Sequence, residues 1–222
     1  MVSKKGFTLA EILITLGIIG IVSAMTIPSL YNKVNERITV SRLRKTYSSF
    51  AQGLKMAENE LGNMDSWYSD DDTSDVKAKI IADNLKKYIK FSEECGIDDK
   101  HRNCVVAIAY KELNGNPRTN YSRNSEELTT YKIKLSDGSS VWFGFVKTAK
   151  RIHIYVDTNG TKLPNTWGRD LFLLEYHDGE LFPAGTSGKN TGSYTKECSG
   201  YTSTGVGCAY YVLRYGNMNY LH

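Results

Sequence analysis

Residues 7–30 read FTLAEILITLGIIGIVSAMTIPSL, and this almost uninterrupted apolar run constrains the fold more than any other part of the chain. About 20 apolar residues in a helix are enough to cross the hydrocarbon core of a bilayer. Lys4 and Lys5 come directly before the run, and basic residues accumulate on the cytoplasmic side of spanning helices. The sequence therefore predicts one membrane-spanning helix, with its N-terminus in the cytoplasm and the body of the chain outside.

Three features of the run are unusual for a plain anchor. Glu11 places a carboxylate near its start, and a charge inside a spanning helix costs roughly 2.5–3.5 kcal/mol on insertion scales, although less near an end. Glu11 is therefore a candidate functional residue, and the alternative is a carboxylate that only reaches the membrane interface. Gly6 puts a small residue directly before Phe7. Pro28, near the far end, predicts a kink or a locally melted turn.

The stretch KKGFTLAE at residues 4–11 resembles the leader and cleavage site of type IV prepilins, a family that includes the pseudopilins of type II secretion systems. The resemblance implies that a prepilin peptidase cuts between Gly6 and Phe7, that the new Phe7 amine is methylated, and that the apolar helix is kept. Glu11 matches the buried glutamate of the family, and Pro28 matches its helix-breaking proline. Implied partners are the peptidase, identical or homologous pilin subunits, membrane lipid before assembly, and an assembly platform in the inner membrane.

Three other classes of protein compete with this interpretation. A secretory signal peptide would be cut after Val22-Ser23-Ala24, but Glu11 and the helical pattern beyond the cut argue against it. A single-pass binding protein that never polymerises would need neither processing at Gly6 nor Glu11. A secreted enzyme is disfavoured because the sequence has no recognisable nucleophile motif, phosphate-binding glycine loop or HExxH motif.

An amphipathic helical pattern continues beyond Pro28. Its apolar positions alternate at spacings of three and four and include Val40, Leu43, Tyr47, Phe50, Leu54, Ala57 and Leu61. Gly62-Asn63 is a suitable C-terminal stop. One helix from about residue 7 to 61 is therefore predicted, half in the bilayer and half packed on a soluble head; the alternative is a separate coiled-coil stalk.

The remainder of the chain predicts a soluble head. A second helix is expected after Thr73 or Ser74, with an inward face of Val76, Ile80, Ile81, Leu85, Tyr88 and Ile89. Period-two patterns predict strands at residues 131–135, 141–145, 151–156, 171–176 and 180–182, with turns at Asp137-Gly138 and Asp178-Gly179. The acidic residues 70–72 are interpreted as a solvated turn.

The expected fold class is therefore α+β and type IV pilin-like, a long N-terminal helix packed on an antiparallel sheet. The expected divisions are a cleaved leader at residues 1–6, a membrane and assembly helix at 7–30, its amphipathic continuation at 31–62 and the head at 63–222.

The segment at residues 157–170 loosely resembles the calcium-binding loop of major pseudopilins. Asp157, Asn159 and Asp170 offer the hard oxygen ligands that calcium prefers. Asp, Asn and Gly are also common turn formers, and we favour a turn that requires no metal.

Four cysteines fall into two close pairs, Cys95 with Cys104 and Cys198 with Cys208. Four cysteines allow three pairings, and short local loops favour these two in an oxidising compartment. Zinc is the alternative, but neither pair has two-residue spacing and only His101 is near. The net charge is only +4 and the basic residues form no long run, so no nucleic acid partner is predicted.

Overall fold

The computed structural model describes residues 6–97, 104–105, 110–118, 130–146, 151–187 and 194–222. Lys4, Lys5 and His101 lie outside the described residues. The chain divides into two units, the first ending at Ile38 and the second running from Thr39 to His222.

Helix α1 runs from Leu9 to Leu61, which matches the single long helix that the apolar and amphipathic patterns predict. It ends because Gly62 adopts the left-handed conformation, with φ at 83°, and the Gly62 N–H donates to the Glu58 carbonyl at 2.9 Å. Pro28 lies inside the helix without interrupting it. Of the two expected effects of Pro28, a melted turn is absent, because loss of one N–H removes only one backbone hydrogen bond and the flanking turns stay helical, while a kink stays a prediction.

The second unit is built on one antiparallel sheet in the order β1-β4-β5-β6-β7-β8. These strands are β1 Phe91–Gly96, β4 Tyr131–Leu135, β5 Ser140–Val146, β6 Arg151–Asp157, β7 Leu171–His177 and β8 Glu180–Pro183, while β2 Tyr110–Lys111 and β3 Pro117–Arg118 form a separate hairpin. The predicted turn at Asp178-Gly179 has positive φ at both positions, as a tight hairpin requires.

The second half of α1 covers one face of this sheet. Its buried stripe includes Leu43, Phe50 and Leu54, and the Phe50 ring lies 5.6 Å from the Phe143 ring on β5. Helix α2 (Ser74–Leu85) and helix α4 (Cys208–Tyr215) complete this layer, while α3 (Tyr194–Glu197) is a single turn. The sheet-on-helix core that the sequence predicts is confirmed.

Two details differ from the sequence prediction. Val76 of α2 is 40% exposed, and the buried face of that helix is made by Lys77, Ala78, Ile81, Ala82 and Leu85. The opposite face of the sheet is also covered, by a second apolar cluster that includes Tyr110, Trp142, Tyr155, Trp167 and Leu173. The head therefore has a third layer beyond the expected helix and sheet.

Candidate assembly helix and carboxylate loop

Thr8 and Glu11 form a reciprocal capping box at the start of α1. The Thr8 N–H donates to Glu11 Oε2 at 2.7 Å, and the Thr8 hydroxyl donates to the same oxygen at 2.8 Å. In return, the Glu11 N–H donates to Thr8 Oγ1 at 3.3 Å. This pattern satisfies backbone donors that the first turn of a helix otherwise leaves without partners.

The role of Thr8 was missed in the sequence, although the signal was present. Thr8 lies three residues before Glu11 and directly precedes an apolar run, which is the spacing of a capping box. The carboxylate is thus satisfied within its own chain, and Glu11 has a structural role as part of the helix cap.

The apolar side chains that follow Glu11 are exposed along the helix. Leu13, Ile14, Ile18, Ile19 and Ile27 are each about 60% exposed, and α1 is long and apolar enough to cross a membrane. Phe7, at the predicted cleavage site, is 85% exposed. Such a surface is unfavourable in water and has to be covered by lipid or protein.

Three basic residues connect α1 to the rest of the second unit. Arg42 Nη1 donates to the Thr158 carbonyl at 2.7 Å, and Lys45 Nζ lies 3.3 Å from Asp137 Oδ2. Arg44 Nη2 lies 3.5 Å from the Leu213 carbonyl in the last turn of α4, where helix carbonyls carry partial negative charge. These contacts fix the orientation of the amphipathic half of the helix on the head.

The structure brings Asp157, Asn159 and Asp170 together. Asn159 Nδ2 donates to Asp170 Oδ2 at 2.9 Å, and the Asn159 N–H donates to Asp157 Oδ1 at 3.1 Å. The backbone N–H of Asn165 donates to Asp170 at 2.7 Å. Asp157 also accepts a hydrogen bond from the hydroxyl of Tyr110, a partner 47 positions away that no local sequence pattern could indicate. We call residues 157–170 the carboxylate loop.

Both carboxyl groups titrate above their ordinary range. Burial, followed by repulsion from Asp170, raises the pKa of Asp157 well above its ordinary value of 3.8. Burial also raises the pKa of Asp170 to about 6, although backbone N–H groups of Thr166 and Asn165 oppose this shift. The protein therefore holds these carboxyl groups in an environment that disfavours two negative charges.

The donor set of the carboxylate loop fits a hard cation in chemistry. Besides the two carboxylates, Asn159 Oδ1 and Asn165 Oδ1 are buried side-chain oxygens for which the structure records no hydrogen bond. Oxygen ligands of this kind suit calcium, and Asp157, Asn159, Asn165 and Asp170 would hold it. The hydrogen bonds to the carboxylates equally allow the loop to close as a turn without metal. Within the described residues, no group of three or more His, Cys, Asp or Glu side chains could hold a metal ion.

Both close pairs of cysteines form disulfides, Cys95 with Cys104 and Cys198 with Cys208. Cys95 and Cys104 belong to the second apolar cluster, on the face of the sheet opposite α1. The second disulfide joins α4 to the segment after α3. The two bridges are the local pairs that the spacing favours; the first lies on the sheet face opposite α1, and the second lies in the core that also contains the buried stripe of α1.

Comparison with known protein families gives two matches that together cover most of the chain. Residues 1–27 match the prokaryotic N-terminal methylation motif, and residues 29–209 match a family of unknown function, DUF6613. No curated protein and no solved structure matches the chain. The methylation motif and the apolar helix together indicate membrane anchoring and prepilin-type processing. The chain therefore belongs to the family of unknown function DUF6613, and it is a type IV pilin-like protein that carries the prepilin methylation motif at its N-terminus.

Proposed function

We propose that this protein is a structural subunit of a type IV pilus or a type II secretion filament, and not an enzyme. Prepilin peptidase cuts it between Gly6 and Phe7, and the mature subunit polymerises through α1. The observation that carries the proposal is the exposed apolar surface of α1 after residue 7, combined with a methylation motif over the same residues. Lipid covers this surface before assembly, and the helices of neighbouring subunits cover it afterwards.

The proposed topology places the N-terminus in the cytoplasm and the head outside the cytoplasmic membrane. Two disulfides in the head support this orientation, because disulfides persist in oxidising compartments and are rare in the cytosol. An assembly platform in the inner membrane then extracts the subunit from lipid into the filament.

Glu11 changes its partner on assembly in this proposal. In the single subunit, Thr8 satisfies the carboxylate. Inside a dry bundle of apolar helices the negative charge also needs a cation, and the methylated amine of Phe7 on a neighbouring subunit supplies one. A subunit added in the wrong axial register would leave both charges buried without partners, so the pair selects the correct register.

The processing step is tested by determining the N-terminus and the intact mass of protein purified from its native membrane. A chain that starts at methylated Phe7 is expected. A chain that retains Met1 would contradict processing and favour a plain anchor, while a start at Met25 would identify a cleaved secretory protein.

Two substitutions at Glu11 separate its charge from its capping role. Glu11→Gln keeps a side-chain oxygen that can accept from Thr8 but removes the charge, whereas Glu11→Ala removes both. Breaking a buried ion pair costs about 3–5 kcal/mol, so both variants are expected to lower the yield of sheared filaments by about a hundredfold or more while membrane insertion is unchanged.

The glutamine variant is the matched control for helix capping. If Glu11→Gln assembles like the wild type and only Glu11→Ala fails, the capping box and not the ion pair is required. Normal filament yield from both variants, or no filaments from the wild type, would contradict assembly through Glu11 and favour a non-polymerising anchored protein.

A further inference from the structure

A cleft in the second unit lies where α1 passes the turn between β4 and β5. Its walls come from side chains between residues 45 and 56 of α1, from residues 88–90 before β1, and from residues 135–137 at the turn. We call it the hairpin cleft. It encloses about 230 Å³, somewhat less than the roughly 300–1,000 Å³ of pockets that bind drug-sized ligands. The hairpin cleft therefore has the size for a small organic molecule.

The base of the hairpin cleft is apolar and closely packed. A β-carbon added to Gly53 would lie 2.6 Å from Cγ1 of Ile89, so α1 and the segment before β1 are in direct contact there. Both residues are buried, and Met56 and Leu135 add apolar surface to the walls. A base of this kind gains from contact with a short hydrocarbon chain, and walls that are already packed lower the entropy that binding costs.

Thr46 places a buried hydroxyl group in the wall of the hairpin cleft. Its side chain is only 1% exposed, and the structure records no hydrogen bond from Oγ1 to any described residue. Thr15 and Thr26 of the same helix instead donate to the carbonyl four residues earlier, each at 2.9 Å. A buried polar group without a partner destabilises the fold, so Thr46 has a hydrogen bond to gain from a ligand in the cleft.

The charged residues of the hairpin cleft leave one ammonium group available. Both carboxylate oxygens of Asp137 have partners, since Oδ2 lies 3.3 Å from Nζ of Lys45 and Oδ1 accepts from the Ser139 N–H at 3.1 Å. Lys90 is exposed, and no carboxylate in the described part of the chain pairs with it. Two lysines and one aspartate line the cleft and give it a net charge of +1. An anion is therefore favoured there and a cation is disfavoured.

We propose that the hairpin cleft binds a small organic acid, a carboxylate on a short hydrocarbon chain. The carboxylate pairs with the Lys90 ammonium and accepts a hydrogen bond from the Thr46 hydroxyl, while the hydrocarbon chain covers the base at Gly53 and Ile89. Because the ligand contacts α1, the β4–β5 turn and the segment before β1 together, it stabilises the packing of α1 on the head. The inference goes beyond the proposed filament function and does not depend on it.

Thermal unfolding of the full-length chain in a neutral detergent tests the site, with butyrate as the small acid. A dissociation constant of about 1 mM would raise the unfolding midpoint by roughly 3–6 °C at about 10 mM butyrate, relative to sodium chloride of the same ionic strength. Butylammonium, which has the same hydrocarbon chain and the opposite charge, is expected to give no increase. Saturation-transfer NMR on butyrate gives the affinity independently of unfolding.

Two substitutions examine the polar groups of the site. Lys90→Gln removes the ammonium and is expected to weaken butyrate binding about tenfold or more. Lys55→Gln is the matched control, because Lys55 is exposed on α1 and does not line the cleft, and it should bind butyrate like the wild type. Thr46→Val keeps the shape of the side chain without its hydroxyl. We expect it to raise the midpoint in the absence of butyrate and to weaken binding, whereas a purely structural hydroxyl would lower the midpoint when lost.

Each of the other possible results overturns the inference. No increase with butyrate, or an equal increase with butylammonium, would show that the cleft does not select a carboxylate. An increase that Lys90→Gln retains would place any binding elsewhere on the chain. A lower midpoint for Thr46→Val without butyrate would show that the fold already satisfies the hydroxyl. Filament yield enters none of these measurements, so the site and the filament function can fail separately.

Discussion

At the scale of single residues, the carboxylate loop makes a testable prediction about pH. The folded chain holds the proton on Asp157 more tightly than the unfolded chain, because burial and Asp170 raise its pKa well above 3.8. The contribution of Asp157 to the free energy of unfolding therefore falls as the pH rises from 3.8 towards the raised folded-state pKa. Asp157→Asn mimics the protonated carboxyl group. We expect the thermal unfolding midpoint of the variant to match that of the wild type near about pH 3.5 and to exceed it near about pH 8.

The same variant also tests for calcium. If the loop is a turn that requires no metal, the unfolding midpoint of the wild type at about pH 8 will not change when calcium or a chelator is added. An increase in the midpoint with calcium that Asp157→Asn abolishes would contradict this interpretation and would establish a calcium site. His153, whose pKa burial lowers to about 4, destabilises the fold in acid in both proteins and so cancels in the comparison.

At the residue scale, local sequence patterns drew attention to Glu11 and to the carboxylate loop, although their roles in assembly and in metal binding stay predictions. Glu11 was recognisable because a charge is conspicuous in an apolar run, and the carboxylate loop because Asp and Asn cluster there. Tyr110 and Asn165 were not recognisable as partners of the loop. Tyr110 reaches Asp157 only through the fold, and an asparagine oxygen near a turn has no distinctive sequence signal.

At the scale of elements, the end of α1 depends on one glycine. Gly62 has φ at 83°, a conformation in which a β-carbon costs about 1–2 kcal/mol. We expect Gly62→Ala to lower the thermal unfolding midpoint of the detergent-solubilised chain by roughly 2–8 °C. The space around Gly62 is open, with only the Ser66 hydroxyl within reach of an added β-carbon, at 3.6 Å, so the loss would come from the backbone and not from a clash.

Gly62→Asn is the matched control for this prediction. Asparagine adopts the left-handed conformation more readily than alanine does, so its loss should be smaller. Equal losses for alanine and asparagine would show that the φ angle is not the cause.

The periodicity of apolar residues predicted the helices and strands, but it did not predict the layers that cover the sheet. The spacing of three and four predicted the buried stripe of α1, and alternation predicted five strands of the sheet. The covering of the second face was missed, although β7 reads LFLLEYH, and a nearly continuous apolar strand indicates burial on both faces. Val76 was placed inward because it is apolar; the helix instead buries Lys77, whose Nζ lies 4.6 Å from the centre of the Phe145 ring.

At the scale of the whole molecule, the division at residues 38 and 39 has a physical basis in the core. Val40 is the first buried residue of α1, and the core extends from it to Leu221 at the C-terminus. The amphipathic half of α1 is therefore part of the head and not a stalk beneath it. The apolar half of the same continuous helix lies outside this core and needs a different environment, so the helix belongs to both units.

This division predicts which fragment folds alone. Residues 39–222, exported to an oxidising compartment, keep the complete core and both disulfides, and we expect them to unfold in one cooperative transition as a soluble protein. Residues 63–222 lack the stripe of Leu43, Phe50 and Leu54, which would expose Phe143 and its neighbours on the sheet. We expect this shorter fragment to aggregate or to unfold without a cooperative transition, since deleting a buried helix removes the larger part of one core layer. Circular dichroism and differential scanning calorimetry on both fragments would decide the matter. Cooperative unfolding of residues 63–222 would show that the helix is an attached stalk and that the boundary of the head lies beyond Leu61.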